Sequence, residues 1–147
     1  MKRVIKTRKF VKLSKVIISL LMVGIALSCS NEFEAIEMNK NTMYIPNSGG
    51  SDTIRVLNYS KISLTGEAEV HLNDSVYWVS SVQNRQYQDQ FEIDGDWFKV
   101  IVPYGNPNLI VASIEKGKLN TNDNLLIKVR ISNTDVFGSI EIKSKNF

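Results

Sequence analysis

At 147 residues, 43% of them hydrophobic and only one of them cysteine, the chain has the length and apolar content for one domain with its own core, and no capacity for an internal disulfide. The net charge of +3 is unevenly placed: Lys2, Arg3, Lys6, Arg8, Lys9, Lys12 and Lys15 are seven of the 18 Lys and Arg, so residues 29–147 keep 11 against 15 Asp and Glu, a net of −4. Such an acidic remainder lacks the basic surface that displaces counterions from phosphates, which argues against a nucleic-acid partner.

The seven basic side chains precede an apolar, uncharged run of 13 residues, 16–28. A basic segment followed by a short apolar one is a signal-peptide profile. The run is shorter than the roughly 20 residues a spanning helix needs, and polar Ser30, Asn31 and Glu32 follow it. Ala26-Leu27-Ser28-Cys29 resembles a bacterial lipobox, in which the cysteine thiol is acylated and cleavage makes that cysteine the new N-terminus. Ordinary cleavage after Ser28 is the competing reading, because Ala26 and Ser28 also satisfy the small-x-small rule. Lipidation gives a purpose to a lone cysteine that would otherwise be an exposed, oxidisable thiol in an exported protein. The expected organisation is a cleaved lipoprotein signal peptide (1–28), a lipidated tether (29–41) and a folded domain (42–147). Ser30 fits release toward the outer membrane rather than retention at the inner one, as in lipoproteins the segment resembles, and Glu32 and Glu34 resemble acidic tags that carry some lipoproteins to the cell surface. The expected address is therefore the outer membrane, on its surface or periplasmic face.

Beyond the tether, short apolar stretches alternate with turn residues, the pattern of an all-β sandwich or barrel. Met43, Tyr44 and Ile45 form a first strand stopped by Pro46 and the Ser48-Gly49-Gly50-Ser51 turn. In the second, 53–59, Ile54 and Val56 face the core while Thr53 and Arg55 face solvent. Ala68, Val70 and Leu72 alternate with Glu67, Glu69 and His71, and an Asn73-Asp74 turn joins them to 76–82 as a hairpin. Asp94-Gly95 suits the positive φ angles of a type I′ turn and predicts a second hairpin, 90–93 with 96–102. After the 103–108 loop comes an apolar run, 109–114, too short to classify by period. Leu125, Ile127, Val129 and Ile131 alternate with Leu126, Lys128, Arg130 and Ser132, and Ile140 and Ile142 alternate with Ser139, Glu141 and Lys143, as the last two strands.

Several of these features together resemble the BACON (Bacteroidetes-associated carbohydrate-binding) family of immunoglobulin-like modules. The residues that carry the resemblance are the Ser48-Gly49-Gly50-Ser51 turn leading into Thr53-Ile54-Arg55-Val56, the pair Trp97-Phe98, and the Ser132-Asn133-Thr134 turn before Gly138-Ser139-Ile140-Glu141-Ile142. It covers about residues 42–144 and implies an Ig-like antiparallel β-sandwich of about seven to eight strands.

Chemistry-bearing residues are sparse. His71 is the only histidine and reads as a solvated strand position beside Glu67 and Glu69 rather than a catalytic base. Asp94 and Asp96 around Gly95 read as a hairpin turn rather than a calcium loop, and no zinc, nucleotide or other cofactor motif is present. For binding, Trp97 shares strand parity with Lys99, opposite Phe98, Val100 and Val102, so it is the first candidate platform for the apolar face of a sugar ring. Tyr77 follows on the same argument, with Val76 and Trp78 inward, and Tyr104 lies in a loop. The competing reading packs both tryptophans in the core or at its rim. Asp52-Thr53-Ile54 and Asp74-Ser75-Val76 resemble acceptor sites for O-linked glycans at Thr53 and Ser75. The sequence thus points to a non-enzymatic, membrane-anchored lipoprotein that binds glycan or a protein partner. The alternatives are an accessory subunit of a surface fibre or transport complex and, less favoured, a small hydrolase.

Overall fold

The computed structural model describes residues 34–83 and 91–145, where the alternating patterns become nine strands and no helix. The signal peptide, Cys29, the start of the tether and Gln90 lie outside the described residues. In chain order the strands are β1 (Thr42–Pro46), β2 (Gly50–Arg55), β3 (Ser63–Leu72), β4 (Ser75–Gln83), β5 (Phe91–Asp94), β6 (Phe98–Ile101), β7 (Leu109–Ile114), β8 (Leu125–Asn133) and β9 (Val136–Lys145). They form one mixed sheet in the order β1-β9-β8-β3-β4-β5-β6-β7-β2.

Strand β4 joins the two halves. Its first part, from Ser75 to Ser80, pairs with β3, and Ser81 to Gln83 pair with β5. The inner surface is lined as the period of two requires: Ile127, Val129 and Ile131 from β8, Ile140 and Ile142 from β9, Phe98 and Val100 from β6, and Ile54 from β2 are buried. A fully buried Ile or Val stabilises the fold by about 1.5–3 kcal/mol. The unclassified run 109–114 is a strand, because Ile110, Ala112 and Ile114 alternate inward while β2 and β6 pair on its two sides.

Three expectations are corrected. The sheet has nine strands rather than seven to eight, and it is not purely antiparallel, since β1 runs parallel to β9, with Met43 opposite Ile142. That pairing joins residues about a hundred positions apart, beyond the reach of local periodicity. The second strand pairs from Gly50, earlier than Thr53, and ends at Arg55. Beyond it Val56 is held by the Asn108 carbonyl at 2.9 Å and by a single bridge to Met38.

The third correction concerns Asp94-Gly95. Asp94 pairs with Lys99, and Gly95 N–H donates to the Phe98 carbonyl at 2.9 Å, so the corner falls on Asp96 and Trp97. Gly95 does not adopt positive φ. Its lack of a side chain serves the Phe98 ring instead, because a Cβ at position 95 would overlap Phe98 Cε1 and Cδ1. At the β3–β4 hairpin the expected turn is present: Leu72 pairs with Ser75 around Asn73-Asp74, and Asn73 takes φ 53°.

Strands β1 and β2, the two ends of the sheet order, meet through Asp52. Its carboxylate accepts the Lys40 ammonium at 2.7 and 2.6 Å and the Tyr44 N–H at 3.0 Å. Residues 37–39 cover the same seam: Asn39 N–H donates to Arg55 O at 3.0 Å, and Asn39 Oδ1 accepts the Arg55 N–H at 2.8 Å. On β1 the next outward position after Tyr44 is Pro46, which has no N–H. The sheet is therefore nearly closed, and its edges are capped by side chains rather than left open for another strand.

Candidate functional site

The outer face of β9-β8-β3-β4 carries an exposed indole ring, that of Trp78, among polar neighbours. Val70 is fully buried and pairs with Tyr77, and Ala68 pairs with Val79, so β4 turns Tyr77 and Val79 inward and Val76, Trp78 and Ser80 outward. This reverses the expected parity. Trp78 is 60% exposed, whereas Tyr77 and Trp97 are half-buried and pack against the core. The physical reason is that the segment Val76-Tyr77-Trp78-Val79 is apolar at every position, so its register with β3, and not its own pattern, decides which side is buried.

Trp97 fails the parity argument for another reason. It sits in the corner between β5 and β6, where strand alternation does not apply. Its ring stands edge-on to Phe98 with centroids 5.0 Å apart. Tyr77 lies beside it, and burial pushes the Tyr77 phenol above its ordinary pKa. Tyr77 and Trp97 are thus brought together as rim packing, while Tyr104 is exposed in the loop at the far end of β6. Thr53 and Ser75 are both exposed, Thr53 on edge strand β2 and Ser75 at the start of β4.

Around Trp78 the cross-strand register lays out rows of polar groups. Trp78 faces Glu69, Glu69 faces Lys128, and Lys128 faces Glu141. Arg130 lies between Thr65 and Ser139. A bulge between Thr65 and Glu69, with Gly66 at φ 69°, interrupts β3 at this level. The bulge leaves a depression of about 440 Å³ bordered by Gly66, Glu67, Trp78, Lys128, Arg130 and Ser139.

The electrostatics of this face are largely paired. His71 Nε2–H donates to Glu69, and Lys128 Nζ lies 3.7 Å from the same carboxylate, so Glu69 is held below the ordinary carboxylate pKa, chiefly by His71. Glu67 accepts the Ser80 hydroxyl at 3.0 Å. The arrangement offers a ring face, a guanidinium, an ammonium, carboxylates and a hydroxyl side by side on a rigid sheet. At the Asp94-Gly95 corner the Lys99 ammonium is shared between Asp94, at 3.2 Å, and Glu92, at 3.3 Å. Among the described residues no group of three or more His, Cys, Asp or Glu converges as a metal site.

Parity reasoning on β4 alone misses Trp78. The signal that could have found it is the polar alternation of β3: Glu67, Glu69 and His71 are outward, and the face opposite them on β4 must be outward too.

No family model matches this chain, and no curated protein matches it. Among solved structures, the fold is similar to the NMR structure of a protein from Bacteroides thetaiotaomicron. The TM-score is 0.52 at 16% identity, over 81% of this chain and 93% of that one. At this identity the likeness concerns the fold alone.

Proposed function

We propose that the protein is a non-enzymatic lipoprotein, acylated at Cys29 and held at the outer membrane, whose Ig-like β-sandwich of the BACON type binds glycan through the outer face of β9-β8-β3-β4. The observation that carries this reading is Trp78, 60% exposed beside a depression lined by hydrogen-bonding side chains. The C–H bonds on the apolar side of a pyranose ring pack against the electron-rich face of an indole, and charged and hydroxyl groups around it read the sugar hydroxyls.

A glycan array screened with the mature chain tests this reading. Trp78→Ala abolishes the binding that the unaltered chain shows, and Trp97→Ala leaves it in place. An array with no bound glycan, or binding indifferent to Trp78→Ala, refutes it.

The capped edges of β1 and β2 make strand addition to a fibre the weaker reading. O-linked modification at Thr53 and Ser75 is compatible with their exposure, and intact-mass measurement of the mature protein reads both it and the acyl chains on Cys29.

A further inference from the structure

Where the chain joins the domain, exposed apolar side chains gather. The first described residues are fixed to the linker between β2 and β3: Tyr59 hydroxyl donates to Glu34 O at 2.6 Å, Asn58 Nδ2 to Ala35 O at 2.8 Å and Leu57 N–H to Glu37 O at 2.9 Å. That linker is tied to two other loops at the same end. Val56 N–H and Ile62 N–H donate to Asn108 O and Pro107 O at 2.9 and 2.8 Å, and Asn133 Nδ2 reaches Lys61 O at 2.7 Å. From these three loops, or two residues beyond, project Leu57 (60% exposed), Tyr104 (63%) and Phe137 (70%), which with Trp78 are the most exposed large hydrophobics among the described residues.

We infer that this end of the domain rests in the interfacial layer of the membrane, with Leu57, Tyr104 and Phe137 as its contacts. The inference rests on the proposed acylation of Cys29. Four residues lie between Cys29 and Glu34, a reach of at most about 18 Å, so a lipid on Cys29 keeps Glu34 within that distance of the bilayer. An aromatic side chain with a polar tip, such as Tyr104, suits the boundary between headgroups and acyl chains. The segments at this end carry Arg55 and Lys61 against Glu34, Glu37 and Asp135, a mixed set with no run of basic residues for anionic headgroups, and the partner is the uncharged interfacial layer itself. Trp78 pairs with Glu69, six residues along β3 from this end, which sets the ring about 20 Å from it, while Ser139 at the near rim of the depression stands two residues along β9 from Phe137.

The experiment labels single cysteines with an environment-sensitive fluorophore at Tyr104→Cys, Phe137→Cys and Ser75→Cys, the last from the opposite end. Each carries Cys29→Ser and is held on neutral phosphatidylcholine vesicles by an N-terminal histidine tag and a nickel-chelating lipid. The readout is thereby independent of acylation in the cell. Labels at 104 and 137 are quenched severalfold more by lipid-borne nitroxide than the label at 75, and equally so in high salt. Labels at 104 and 137 that stay in water, or quenching strongest at 75, overturn the inference. Native protein whose mass shows no acyl group at Cys29 removes the reading beneath it, a result scored separately.

Discussion

Lys40 and Asp52 close the sheet: the ammonium lies 2.7 and 2.6 Å from the two carboxylate oxygens, between the segment that leads into β1 and the edge strand β2. The same carboxylate accepts the backbone N–H groups of Tyr44, at 3.0 Å, and of Thr53, at 2.7 Å. One side chain thus ties the two strands that end the sheet order.

Burial raises the pKa of Asp52, but the Lys40 hydrogen bond and the Tyr44 and Thr53 N–H groups outweigh it, and the group sits below its ordinary value. A carboxylate with a depressed folded pKa contributes stability above its unfolded pKa, about 3.9, and loses it as pH falls through the folded value. Asp52→Asn is therefore expected to cost about 1 kcal/mol at neutral pH, with the gap to the unaltered chain closing in acid. Urea unfolding of both proteins across that range checks it, and a gap that persists in acid contradicts the assignment.

Gly95→Ala places a methyl group inside the space of the Phe98 ring. Because Phe98 is buried and its strand is paired on both sides, the ring has little room to give. The substitution is expected to destabilise the domain by about 1–3 kcal/mol, and Phe98→Leu in the same chain is expected to recover part of the loss. Additive losses in the double variant would place the strain elsewhere.

Asn47 pins the β1–β2 turn to the loop before β8. Its buried amide nitrogen lies 2.8, 3.0 and 2.9 Å from the carbonyl oxygens of Asn120, Thr121 and Asp123. Asn47→Ala strands those carbonyls and is expected to cost about 2–3 kcal/mol; Asn47→Asp, which points a carboxylate oxygen at them, is expected to cost more. Thermal unfolding that ranks the two variants the other way would exclude this role.

The two tryptophans are expected to separate cleanly. Trp78→Ala leaves stability within about 0.5 kcal/mol, and Trp97→Ala, which empties space against Phe98 and Tyr77, costs about 2 kcal/mol. Acrylamide quenching of the single-tryptophan chains is expected to be strong where Trp78 remains and weak where Trp97 remains. Equal quenching would contradict the burial difference.

Strands with one apolar parity are legible from their residues alone. β8 alternates Leu125, Ile127, Val129 and Ile131 with Leu126, Lys128, Arg130 and Ser132, β9 alternates Ile140 and Ile142 with Ser139, Glu141 and Lys143, and all six of the first-named side chains are buried where that alternation puts them. The binding surface is less legible. In β4 both parities are apolar, so whether Trp78 or Tyr77 faces solvent depends on pairing with β3, a choice made by the burial of Ala68 and Val70. Gly95 is a required glycine, as its turn-like neighbours suggest, but for a different reason: the Phe98 ring approaches it through tertiary packing.

By itself the sequence determined the all-β class, the inward faces of the strands whose pattern has a single period of two, the acidic balance of residues 29–147 and the profile of the segment before them. These follow from side-chain chemistry read locally along the chain. Only the tertiary structure decided the parallel pairing of β1 with β9, the closure through Asp52, and the exposure of Trp78 in place of Trp97. Each of these depends on which distant strand lies alongside, and a period of two constrains the face of a strand without naming its neighbour.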